Sequence, residues 1–263
     1  MNNVLERVFE LIKKEELILF CGAGMSIYAG YPSGKQLADK IYSKMTKDEI
    51  DQISTNLPLP DLTEEFVNMR MGSRKALITI LKEVFEKPPS TFHLHQILSC
   101  IPQIKTIITT NYDNLFELAY NNECSIIRNS IDLTYRNTAI TEILKIHGDL
   151  SNPNSILISK SDYTKFFDTQ KEELLWNVVK ERIATHSVLF IGYNLDDINM
   201  ESIFRKMREH LGNNHKEVFL LSPHLTALKI QSLNKISIQY IDLTAEDFIN
   251  ELYNNIKYNV FSD

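Results

Sequence analysis

Glycine is scarce in this chain. Only 8 of its 263 residues are glycine, well under the usual share of roughly 7%. Cysteine is scarcer still. Cys21, Cys100 and Cys124 lie far apart and form no C-x-x-C pair, so a structural zinc site is not expected. An odd, sparse count points to reduced thiols and a cytoplasmic location. No apolar run approaches the roughly 18 residues of a membrane span. The amino-terminal "MNNVLERVFELIKKEE" scatters charge through its length, unlike a signal peptide. An excess of cations is also missing: 28 Lys and Arg face 34 Asp and Glu, a net charge of -6. Counterion release needs clustered basic residues, so direct nucleic-acid binding is not expected as the main role.

What is present is ordinary in bulk. Hydrophobic residues make up 43% and charged residues 24%, and the length allows a substantial core. The expected organisation is one domain over 1–263. The scarce glycine, however, is concentrated. Gly22, Gly24, Gly30 and Gly34 fall within "LILFCGAGMSIYAGYPSG", residues 17–34.

Short apolar runs read as buried strands at 17–21, 106–110, 143–147, 187–193, 217–222 and 236–241. Helical spacing marks 3–14, 113–121, 170–185, 197–211, 224–233 and 245–257. Strands alternating with helices predict an α/β fold, a Rossmann-like doubly wound and mostly parallel sheet. The alternation breaks from about 35 to 100, where four or five helical segments and no strand are expected: an inserted helical subdomain. Turn chemistry at "SNPNS" (151–155) suggests a link between two short strands.

Four polar or glycine-bearing motifs end four of the expected strands: "GAGMS" (22–26), "TTNYDN" (109–114), "KIHGD" (145–149) and "FIGYNLDD" (190–197). In a doubly wound sheet, ligands bind beyond the carboxyl ends of the strands. Glycines there let the backbone turn tightly and approach a phosphate, and Ser26 adds a hydroxyl. Each motif also has a plainer explanation. The glycines could form a tight turn with no ligand, Asn111 and Asp113 could cap a helix, and His147 could be a core histidine. Their joint placement is what favours a nucleotide-type site.

In this order the four motifs resemble the sirtuin superfamily, and more closely its bacterial branch of NAD-cleaving defence proteins. "AGYPSGKQLADKI", "TFHLHQIL" and "SKSDY" fit that branch too. The resemblance spans roughly 17–222. It implies a sheet that binds NAD as substrate, without a metal, under a helical subdomain. It assigns Gly22, Ala23, Gly24 and Ser26 to a pyrophosphate loop. Asn111 would orient the nicotinamide ribose and the attacking water, Asp113 would hold the nicotinamide end, and His147 would be the general base. Thr110 stands where deacylating sirtuins carry Gln and joins the NAD contacts. Gly192 and Asn194 would meet the phosphates or the adenosine side, and Ser222 the adenosine ribose.

Deacylating sirtuins also carry two C-x-x-C pairs and an Asp-Phe-Arg after the glycine loop. This chain has neither; it reads "YPSGKQ" at the second place. Hydrolysis of NAD to nicotinamide and ADP-ribose is therefore expected, in antiphage defence. The alternatives are an NAD- or ADP-ribose-sensing module without turnover, and a protein deacylase or ADP-ribosyltransferase. The resemblance further implies restraint of the enzyme by homo-oligomer assembly, or by a separate partner such as a HerA-like ring ATPase or a short Argonaute. His93 and His95 fall on an expected helix, where residues two apart do not share a face, so His95 is expected to pack or cap.

Overall fold

The computed structural model of the protein describes residues 3–54, 56–121, 123–168, 172–193 and 216–260. Seven strands form one sheet: β1 (Leu17–Cys21), β2 (Thr106–Thr109), β3 (Cys124–Ile127), β4 (Thr141–Lys145), β5 (Ser187–Ile191), β6 (Val218–Leu221) and β7 (Ile238–Ile241). Their order is β3-β4-β2-β1-β5-β6-β7, and every neighbouring pair is parallel. This is the expected Rossmann-like architecture. All five residues of β1, β4 and β5 are buried, as in strands covered on both faces.

Alternate strand residues divide between two cores. Leu17, Leu19, Ile107, Leu189 and Phe219 pack on α1 (Asn3–Lys13), α6 (His93–Ser99) and α11 (Ala245–Val260). Ile18, Phe20, Ile108, Val188 and Phe190 face α9 (Glu173–Thr185) and α10 (Ala227–Lys235). The period of two that puts successive side chains on opposite faces produces this split.

Between β1 and β2 the chain runs through α2 (Gly34–Tyr42), α3 (Lys47–Asp51), α4 (Leu59–Asn68), α5 (Lys75–Phe85) and α6. The first four share a third core, around Leu37, Ile41, Leu62, Phe66, Leu77 and Leu81. Ser33 and Gln36 form a capping box at the start of α2, and Thr46 and Glu49 another at α3. α8 (Lys160–Asp168) is tied to this helical layer. Arg74 pairs with Asp162 at 2.8 Å and donates to the Ile156 carbonyl, while the buried Thr63 hydroxyl donates to the Ile158 carbonyl.

Two expectations change. "SNPNS" does not join two strands. A single bridge pairs Asp149 with Asn152, and a 3₁₀ turn follows at Pro153–Ser155, because Pro153 cannot donate to a ladder. β3 is a strand that the apolar pattern did not mark. It is four residues long, alternates between buried and half-buried, and lies at the sheet edge. Helix α7 (Leu115–Tyr120) begins two residues later than expected. The expected helix at 197–211 lies outside the described residues.

Candidate active site

β1 sits at the point where the chain reverses direction across the sheet. β2, β4 and β3 lie to one side of it, and β5, β6 and β7 to the other. Ligand crevices open at such points. A cavity of about 650 Å³ opens there, within the range of small-molecule sites. From the sheet side it is lined by Ala23, Ser26, Thr110, Asn111, Asp113 and His147. The facing wall comes from the helical layer: the first turn of α2, Tyr42, the loop 56–58 with the start of α4, and Phe85. The Tyr42 hydroxyl ties that loop down by accepting from the Leu57 amide at 3.0 Å.

Asn111 is the most constrained of the polar groups. Its Nδ2 donates to the Gly22 carbonyl at 3.1 Å and to Ser26 Oγ at 3.0 Å. With both amide hydrogens committed, the side-chain carbonyl is the group left to accept a bond from a ligand or water. The Ser26 hydroxyl donates to Asp113 Oδ2 at 2.7 Å. Its proton is thus held by a carboxylate rather than aimed at an anion. Asp113 Oδ1 accepts from the Leu115 amide and starts α7. Asp113 therefore caps a helix and also lines the cavity. Burial pushes its carboxyl above the usual carboxylate range, against the Ser26 and Leu115 bonds that lower it.

His147 follows β4 and is 5% exposed. Burial lowers its pKa to about 3, so the imidazole is neutral at physiological pH. The Tyr163 ring meets it edge-on with centroids 5.3 Å apart. The main chain here is also tied down: the His147 carbonyl accepts from Leu157, and the Tyr112 hydroxyl donates to the Leu157 carbonyl at 2.6 Å.

The glycines serve chiefly to bring two backbones together. The amides of Gly22 and Gly24 donate to the carbonyls of Ile191 and Gly192, and those of Met25 and Ser26 bond within the loop. A Cβ on Gly24 would lie 2.7 Å from Gly192 Cα, and one on Gly22 would lie 2.8 Å from the Gly192 oxygen. Gly192 itself has a positive φ of 76°, and a Cβ there would come within 2.5 Å of the Met25 nitrogen. Among the described residues, Gly22, Gly24 and Gly192 interlock behind the cavity, while Ala23 and Ser26 line it. Ser222 stands at the end of β6, where its amide donates to the Ile241 carbonyl, and it is not among the cavity-lining residues. Asn194 lies outside the described residues.

Several site residues escaped the sequence reading. Tyr193, within "FIGYNLDD", reaches Thr110 Oγ1 at 2.8 Å behind the cavity wall. The wall from Tyr42, 56–60 and Phe85 had no local signal, because it comes from a separate helical layer. His95 packs, as expected. It is fully buried, its Nδ1 is 2.6 Å from the Tyr28 hydroxyl, and burial lowers its pKa to about 3. Among the described residues, no group of three His, Cys, Asp or Glu side chains could hold a metal ion, and no helix is long and apolar enough to cross a membrane.

Comparison with known proteins gives the site a context. A family model described as a SIR2-like domain matches residues 105–241. An NAD(+) hydrolase ThsA of Enterococcus faecium is 30% identical over 260 residues, covering 95% of this chain and 50% of the relative. Defense-associated sirtuin 2 of Bacillus subtilis is 30% identical over 233 residues, covering 83% of this chain and 22% of that protein. The chain therefore spans about half, or less, of the length of the curated relatives it matches. A solved Sir2 enzyme structure superposes with a TM-score of 0.52 over 98% of this chain and 99% of that one, at 11% identity. That likeness concerns the fold.

Proposed function

The chain belongs to the SIR2-like family, and from that premise we propose that it is an NAD glycohydrolase, cleaving NAD to nicotinamide and ADP-ribose. The observation that carries this reading is the convergence of Asn111 and His147 on one cavity, with the Asn111 amide pinned so that its carbonyl remains free. The relatives named NAD(+) hydrolase support the same substrate.

The bond between ribose C1′ and the pyridinium nitrogen breaks, and its electron pair neutralises the departing nicotinamide. The ribosyl centre becomes cationic and is captured by water. The water loses its proton, and the products are ADP-ribose, nicotinamide and one proton. Asn111 would accept a hydrogen bond from the attacking water or a ribose hydroxyl and so orient it. His147, already neutral, would take the proton. Asp113 would place buried negative charge near the developing cation. Ala23 and Thr110 would hold the pyrophosphate and adenosine side.

By similarity to the defence-associated relative, the cellular role would be NAD depletion during phage infection. A toxic activity of this kind needs restraint. Homo-oligomer assembly or a separate partner, such as a ring ATPase or an Argonaute, would provide it.

The test is nicotinamide and ADP-ribose release from NAD by the purified chain, over a range of protein concentrations. Asn111→Ala and His147→Ala, each confirmed as folded, should lose at least about 100-fold in kcat. A steep dependence on concentration would support assembly control. Folded variants with wild-type release would refute the assignment of these two residues.

A further inference from the structure

Behind the cavity lies a cluster of charge that the reaction scheme above does not use. Lys145 ends β4, and its side chain is 1% exposed. Its ammonium has three hydrogens and three acceptors. It donates to the Asp113 main-chain carbonyl at 2.8 Å, to Glu117 Oε1 at 2.8 Å and to Asp149 Oδ2 at 2.6 Å. These acceptors belong to three segments: the loop after β2 that carries Asn111, helix α7, and the loop after β4 that carries His147. The Arg128 guanidinium flanks Asp149 at 3.6 Å and Glu117 at 4.0 Å. Two cations and two carboxylates balance within the cluster.

We propose that Lys145 is a positioning residue for NAD cleavage, joining the Asn111 loop to the His147 loop and so setting the separation of the two groups across the ribosyl centre. The inference rests on the hydrolase reading above. An apolar side chain could fill the same space, and replacing a buried ion cluster by apolar groups is often tolerated. No apolar side chain can bond to three acceptors on three segments at once. Misplacement of reacting groups by about 1 Å costs on the order of 100-fold in rate, so a tether between these two loops bears directly on turnover. Among the described residues, this ammonium bonds to none of the β1 and β5 loop residues that would hold the rest of NAD, and substrate affinity should survive its loss.

The experiment compares the wild-type chain with Lys145→Met and with the triple variant Lys145→Met, Glu117→Gln, Asp149→Asn, which leaves neither buried carboxylate unpaired. Thermal melting, kcat and KM for NAD, and amide hydrogen exchange are read on each. The folded triple variant should lose about 10- to 100-fold in kcat. Its KM should change little. Exchange should accelerate within 110–116 and 147–157. The proposal is overturned by a folded triple variant with wild-type kcat, by a loss carried in KM, or by a triple variant that does not fold, which would make the cluster a device of global stability. A wild-type chain inactive at every protein concentration would bear on the hydrolase reading and its restraint, not on Lys145. In that case unchanged exchange in the two loops would still show that Lys145 does not join them.

Discussion

At the scale of single residues, the positions of glycine are decided by contact rather than by loop character. Gly24 and Gly34 lie in the same glycine-rich stretch, yet their surroundings differ. A methyl group on Gly24 meets the Gly192 backbone, whereas one on Gly34 meets nothing within 4 Å. Backbone cannot swing aside as a side chain can, so Gly24→Ala should destabilise the fold by about 1–3 kcal/mol. Gly34→Ala, in the first turn of α2, should be neutral or stabilising by up to about 1 kcal/mol. Chemical denaturation of both variants checks the contrast, and equal losses would refute it. Asn111 makes a related point. Its identity and its place after a strand were legible, but the direction in which its amide points was not. That direction follows from Ser26 and the Gly22 carbonyl, which are 85 and 89 residues away in sequence.

At the scale of elements, the cavity depends on how α2 is anchored. Ser33 accepts from the Gln36 amide while the Gln36 side chain accepts from the Ser33 amide. Thr46 and Glu49 make the same pair of bonds at α3. Removing either cap should cost about 1 kcal/mol. Of these two capped helices, α2 contributes its first turn to the cavity wall and α3 does not. Ser33→Ala should therefore lower the melting temperature and raise KM for NAD, while Thr46→Ala should lower the melting temperature by a similar amount and leave KM unchanged. Steady-state kinetics beside melting curves distinguishes them. β1 was legible to the residue because five apolar positions end abruptly in Gly-Ala-Gly. β3 was not, because four residues with half their side chains accessible carry too little pattern.

At the scale of the whole molecule, two histidines among the described residues are buried neutral. His95 and His147 each fall from 6.5 to about 3 through burial. Between those values the unfolded chain binds protons that the folded chain refuses. Their contribution is complete above pH 6.5 and is lost as pH falls towards 3. At roughly 1.4 kcal/mol per pH unit for each, lowering the pH to 5 should remove about 4 kcal/mol from the two together. His147→Ala should show about half that slope, and a melting temperature flat between pH 7.5 and 5 would contradict the argument. The sequence by itself determined the alternation of strand and helix, the helical insertion and the four motifs at strand ends, because these are written in local periodicity and in residue types with few structural substitutes. Only the tertiary structure decided that Lys145 spans three segments, that Gly24 meets Gly192, and that a helical layer walls the cavity. Those contacts join residues far apart in the chain, and no local pattern records which distant atoms will share a buried space.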